Sequence, residues 1–454
     1  MNPHPNQTIC SLQKKMQKKA LSSQELVSDY LDRIDRIDAG PSGLHSVLER
    51  NPDILAEAEA SDRLRARGIL LGPLHGIPLL VKDNIDTADR LHTSAGSLAL
   101  ARHRAAKDAF VVRKLRGSGA LILGKAGMSE FAHFMARGMP NGFSSRGGFI
   151  YHPADRAADP SGSSTGSAVA VAAGLCAGAL GTETNGSILS PAYQCGAVGL
   201  KPTAGLLSTE GIIPLSCTLD TPGPIASCVC DAALLLGVMA GSGPSDFPSM
   251  ENRAGTPAEK GRLQGLRVGL WNMENALPAQ AQAVSLLESA GAECLPFSAP
   301  EAPKLHGTII RYEFKRCLNR YLAQSDEPGL PKSLREIIAF NERHAKKALP
   351  YGQDLLLLAD EASGTLEEPD YQQAIAGRNA FIDRLARYFA DNRLDAVLSP
   401  QISPAASLAG FPALTLPVAS DEAGMPVCIF LMVERLKEDV LLRIAHVVER
   451  GLPV

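Results

Sequence analysis

A short apolar run, Ile77-Pro78-Leu79-Leu80-Val81, is entered through the turn Gly72-Pro73-Leu74-His75-Gly76 and stops at Lys82-Asp83-Asn84. A run this brief, bounded by turn residues and apolar at successive positions rather than alternate ones, reads as a strand buried on both faces. Val111 to Ser118 then suits a helix and Ala120 to Leu123 another strand. That alternation points to the α/β class, with a mixed or parallel sheet as the natural architecture. Lys82 thus stands at a strand end, where such folds place their chemistry.

The remainder fits the same scheme. Ser11 to Asp38 has helical spacing, with Ser22 and Glu25 positioned as a capping box, and Pro52 to Arg67 repeats the helical pattern. Strands are expected at Leu266–Leu270 and Ala292–Pro296 around a helix at Ala279–Ala290, and again at Ala396–Leu398 and Ala413–Val418, with a helical region over roughly Thr308–Ala390. Gly241 to Gly261 is the best linker candidate, yet strand-like segments resume beyond it in the same style. The expected organisation is one large domain over 1–454: a helical lead-in at 1–70, core motifs at 72–230, a helical insertion at about 305–390 and a return to the core at 391–454.

A net charge of −3, with Lys and Arg scattered, nominates no nucleic-acid partner. The Ala-rich stretch from Ala168 to Leu180 is too short for the roughly 18 to 20 apolar residues a membrane span needs. Met1-Asn2-Pro3-His4-Pro5 leads into a Lys-rich stretch without a secretory pattern, so a cytoplasmic location is expected, although a mature exported form would read alike. The nine cysteines include no CxxC pair and read as reduced, mostly buried thiols, and no paired histidine spacing suggests a metal.

Ser161-Gly162-Ser163-Ser164-Thr165-Gly166-Ser167 stands directly before the Ala-rich helix. A phosphate loop would need a lysine after Gly166, which is absent. Gly162 to Gly166 matches GxSxG around Ser164, but a nucleophile elbow follows a buried strand, and this segment follows the polar Ala154-Asp155-Arg156-Ala157-Ala158-Asp159-Pro160. By itself the segment is a serine-glycine loop. What changes that is a second serine segment, Gly181-Thr182-Glu183-Thr184-Asn185-Gly186-Ser187-Ile188, expected at the far end of the same helix. A serine after a glycine can present its hydroxyl while preceding backbone N–H groups converge as an oxyanion hole.

These segments, with Gly76 to Asn84, Gly199-Leu200-Lys201-Pro202-Thr203, Asp220-Thr221-Pro222-Gly223-Pro224 and Ala409-Gly410-Phe411-Pro412-Ala413, resemble the amidase signature family over nearly the whole chain. The resemblance implies the α/β amidase signature fold, a large mixed β-sheet core covered by α-helices on both faces, and hydrolysis of a carboxylic amide without metal or organic cofactor. It implies Ser187 as the acylated nucleophile, Ser163 as a bridging serine held in a cis peptide, Lys82 as the base, and Thr184, Asn185 and Gly186 as oxyanion donors. A lysine can serve as base only when burial draws its pKa well below the ordinary range. Read singly, each residue has a plainer role: Lys82 in a surface ion pair with Asp83, Ser163 as a helix cap, Ser187 in a turn, His75 and Cys195 as structural.

The chain departs from the family pattern at Asn185, often Gly, at Glu183, often Asp, and at Leu189, often Arg. Loss of that arginine favours a neutral amide. Ser94 to Ala99, Ala339 to His344 and Tyr351 to Asp354 resemble the peptide amidases of the family, so the expected substrate is a small amide or peptide amide, acted on by a monomer or homodimer. The stretch between Ser399 and Phe411, near the expected pocket, is shorter than is usual for the family. The alternatives are the A subunit of a glutamyl-tRNA amidotransferase, a small aliphatic or aryl amide hydrolase, and a binding module without turnover.

Overall fold

The computed structural model describes residues 8–240, 263–325 and 327–452; the linker candidate at 241–261 lies outside them. Thirteen strands are described: β1 (Val47–Arg50), β2 (Pro78–Lys82), β3 (Leu121–Ala126), β4 (Phe143–Ser144), β5 (Gly148–Phe149), β6 (Ala179–Glu183), β7 (Val198–Lys201), β8 (Thr221–Ala226), β9 (Arg267–Trp271), β10 (Glu293–Phe297), β11 (Ala396–Ser399), β12 (Ala413–Ser420) and β13 (Pro426–Met432). Eleven form one sheet in the order β1-β3-β2-β6-β8-β7-β12-β13-β11-β9-β10, and β4 and β5 pair separately. The sheet is mixed: β2 runs parallel to β3 and β6, whereas β8 is antiparallel to both β6 and β7.

Every residue of β2, β3 and β6 is buried, which explains why β2 is apolar at successive positions. The pairing sets Val81 opposite Leu180, so Lys82 leaves its strand beside Thr182. The expected continuous helix between the serine segments is corrected here. Helix α1 (Thr165–Ala172) is short, and the chain turns back through β6, so a helix and a strand lie between Ser163 and Ser187. Small apolar residues carry no period that separates the two. The lead-in is likewise two helices, Ile9–Gln17 and Ser23–Arg33, the second with the Ser22–Glu25 capping box formed.

The helical region contributes α2 (His306–Leu322), a helix at Leu334–Arg343 and α3 (Pro369–Asp391), followed after β11 by the short α4 (Ala405–Ala409). Phe314, Ile337 and Phe381 from these helices, with Phe411 just past α4, share one buried cluster with Met128, Leu189 and Leu215 from the core motifs, so the helical layer packs beside the serine segments. The reduced-thiol expectation is also corrected: Cys217 and Cys317 form a disulfide with Cα atoms 6.3 Å apart, joining the loop before β8 to α2. Of the other cysteines, Cys176, Cys195 and Cys428 are buried while Cys10, Cys228, Cys230 and Cys294 are partly exposed.

Candidate active site

Lys82 is wholly buried. Its Nζ lies 2.9 Å from Ser163 Oγ, 2.9 Å from Ser164 Oγ, 2.9 Å from Thr182 Oγ1 and 3.1 Å from the Thr182 carbonyl. Its neighbour Asp83 does not pair with it: that carboxylate faces Arg146 at 3.1 Å and accepts from the Gly96 N–H. Burial therefore draws the Lys82 ammonium down to about 7, against the opposing pull of Asp220 and then Glu183.

Ser163 follows a cis Gly162–Ser163 peptide bond. It is not the helix cap: Ser164 occupies that position, with no capping bond from its side chain. The Ser164 hydroxyl is instead committed inward, donating to the Thr182 carbonyl and accepting from the Thr182 N–H. Gly181 permits this, since a Cβ there would stand 2.7 Å from Ser164 Oγ. These bonds count against Ser164 as a nucleophile, as does the polar loop ahead of it.

Ser187 is buried, and its carbonyl accepts from the Ser164 N–H at 3.1 Å, which sets the two serine segments side by side. The turn before it is held at both ends. Glu183 accepts from the Ile188 and Leu189 N–H groups at 2.8 and 3.0 Å, folding 184–187 into a tight loop. Thr184 Oγ1 donates to Asp220 at 2.5 Å, and Asp220 also accepts from the Leu215 and Ser216 N–H groups. Gly186 has φ +83°, a conformation costly for any residue with a Cβ. Asn185 is exposed, its Oδ1 accepting from Ser407.

Thr182 and Asp220 carry no role in the sequence reading, and Ser164 enters it only as the centre of a GxSxG match. The Asp220-Thr221-Pro222-Gly223-Pro224 motif was the available signal for Asp220, whose contact with Thr184 only the fold creates. His75 is structural, its ring lodged against Ser61, and Cys195 is buried with its thiol pushed up by desolvation. Among the described residues no group of His, Cys, Asp or Glu is arranged to hold a metal ion. No helix among them is long and apolar enough to cross a membrane.

A buried lysine drawn toward neutrality thus stands against two serine hydroxyls at the end of a strand of an α/β sheet, with Ser187 on the neighbouring turn. The amidase family model matches residues 25–407, and the chain belongs to that family. It is a hydrolase of amide C–N bonds. Among curated relatives, it is 36% identical to a probable amidase of Arabidopsis thaliana over 98% of this chain and 90% of that protein. It is 32% identical to the A subunit of the glutamyl-tRNA(Gln) amidotransferase of Desulfosudis oleivorans, covering 98% and 97% of the two chains. Native peptide amidase from Stenotrophomonas maltophilia superposes with a TM-score of 0.90 at 39% identity, covering 99% of this chain and 98% of that one.

Proposed function

We propose that the chain hydrolyses a carboxylic amide, with a peptide C-terminal amide as favoured substrate, to the acid and ammonia through Lys82, Ser163 and Ser187. The observation that carries this reading is the buried Lys82 amine, without a carboxylate partner among the described residues, at 2.9 Å from Ser163 Oγ. A neutral amine has two N–H groups and one lone pair. Ser164 Oγ and the two Thr182 oxygens can take the N–H groups, leaving the lone pair for the Ser163 hydroxyl.

In this mechanism Ser163 passes its proton to Lys82 while taking that of Ser187, whose Oγ attacks the amide carbon. The oxyanion receives backbone N–H groups from the Thr184-Asn185-Gly186 turn. Collapse breaks the C–N bond, and the proton returns through Ser163 to the departing ammonia. Water then attacks the acyl-Ser187 ester by the same relay, releasing the acid. The likeness to peptide amidase across both full lengths favours the peptide amide. The amidotransferase likeness supports a second reading, in which glutamine is the ammonia donor.

Ammonia release should be measured from peptide amides, short aliphatic and aryl amides, and glutamine. Turnover of peptide amides that vanishes in Ser187→Ala and Lys82→Ala is expected; turnover of glutamine alone would replace the peptide-amide reading with the amidotransferase one.

A further inference from the structure

Asp220 does more than hold Thr184. Its carboxylate also accepts from the Leu215 and Ser216 N–H groups at 2.7 and 3.0 Å, and its own N–H donates to the Ser216 carbonyl at 3.2 Å. Residues 215–220 therefore close on themselves and move as one piece. The core fixes both ends of this loop: the Ile213 N–H donates to the Asn84 carbonyl at 2.8 Å, and β8 begins at Thr221. The tip, 216–218, is held from the helical layer instead.

Glu313, on α2, is 1% exposed and meets that tip. Its Oε2 accepts from the Ser216 hydroxyl and from the Thr218 N–H at 3.1 Å. Its Oε1 accepts from the Thr218 hydroxyl and from Tyr371 of α3 at 2.7 Å. Between the two clamped residues, Cys217 is bonded to Cys317, one helical turn along from Glu313. Three successive loop residues thus bind one face of α2, and Leu215 and Leu219 on either side share a buried cluster with Phe314 and Leu318. The other charged group acting with Glu313 is Arg378 of α3. A carboxylate is costly to bury unless its lone pairs are filled, and most of the donors that fill these come from the tip of one loop.

We propose that Glu313 is a positioning residue for the hydrolytic site: by fixing the 216–218 tip on α2 it sets where Asp220 stands, and through Asp220 both the Thr184 turn and the charge that Lys82 feels. This rests on the Lys82–Ser163–Ser187 reading above. Asp220 leads the charges that oppose the desolvation of Lys82, ahead of Glu183. Glu313 comes last among the influences on Asp220, and it disfavours that carboxylate. Removing the Glu313 charge with nothing displaced would therefore strengthen the Asp220 charge and keep Lys82 protonated to higher pH. Drawing Asp220 away does the reverse, so the direction in which the acid limb moves separates the two.

The test follows kcat and KM against pH for an N-acetylated dipeptide amide, using wild type, Glu313→Gln, Thr218→Val, Asp220→Asn, the Glu313→Gln/Asp220→Asn double variant and Ser187→Ala. Glu313→Gln is expected to move the acid limb of kcat/KM to lower pH, as Asp220→Asn does, and to lower kcat by about tenfold with KM little changed. Thr218→Val keeps every charge; it should move the limb the same way by less, and it decides the matter if Glu313→Gln does not fold. In the double variant the limb should stay where Asp220→Asn alone puts it. A limb that stays put or moves up in whichever of the two variants folds, or that moves further in the double variant, overturns the positioning role while leaving amide hydrolysis standing. No hydrolysis by wild type, or hydrolysis that survives Ser187→Ala, overturns the underlying reading and the positioning role with it.

Discussion

Lys82 Nζ lies 2.9 Å from Ser163 Oγ, and both side chains are wholly buried. With the amine drawn down to about 7, the neutral form needed for proton abstraction predominates above that pH. On the proposed mechanism kcat/KM therefore climbs as pH rises through about 7 and reaches a plateau, and Lys82→Ala lowers kcat by ~10³ or more. A pH–rate profile flat from 5 to 9, roughly the range that brackets such a base, would count against Lys82 in that role.

The same shift carries a stability signature. Lys82 binds its proton more weakly folded, at about 7, than at its ordinary 10.5, so between these values the unfolded chain holds the extra proton and wild-type stability rises with pH. Lys82→Met abolishes that slope. Its melting temperature relative to wild type should be highest at or below pH 7 and fall as pH climbs toward 10.5. Parallel melting curves across that window would contradict the buried, proton-averse amine.

Asp220 joins the Thr184 turn to the lysine, because it holds Thr184 Oγ1 at 2.5 Å and heads the charges that keep Lys82 protonated. Asp220→Asn removes that charge, so the acid limb of kcat/KM should move to lower pH. Thr184→Val should lower kcat by about tenfold with KM little changed, and Thr184→Ser should restore it, as expected for a group that orients the oxyanion turn. An unmoved limb in Asp220→Asn would reduce the carboxylate to a structural anchor.

Gly186→Ala meets two obstacles, a φ of +83° and Ser190 Oγ at 2.8 Å from the added Cβ. Either reshapes the turn before Ser187. Loss of oxyanion donors predicts a fall in kcat of about 10² to 10³ with a largely intact fold by circular dichroism. Near-wild-type kcat would show that this turn does not hold the oxyanion.

The Cys217–Cys317 disulfide closes a separation of 100 residues between the Asp220 loop and α2. Its removal by Cys217→Ser should cost about 2 to 5 kcal/mol in denaturant unfolding. Thiol alkylation of the unfolded, unreduced protein should modify the seven other cysteines, with Cys217 and Cys317 labelled only after reduction. Labelling of all nine without reductant would remove the bond from the account.

Lys82 was legible because a buried strand announces itself by consecutive apolar residues, and the register of β2 against β6 then leaves the amine beside Thr182. The serine segments were legible as motifs, but the strand between them was not: the small and apolar residues from Ala168 to Leu180 satisfy helix and strand alike. Asp220 and Thr184 lie 36 residues apart, and the disulfide spans a similarly non-local gap, so neither pairing leaves a trace in local pattern.

The central claim, that Ser187 is the nucleophile served by Lys82 through Ser163, is tested most directly by trapping the acyl-enzyme. The wild type would be acid-quenched during turnover of an activated ester or slow amide and the modified peptide located by mass spectrometry. The account predicts the acyl group on Ser187, with none retained in Ser187→Ala. Acylation of Ser163 or Ser164 in the wild type would contradict it.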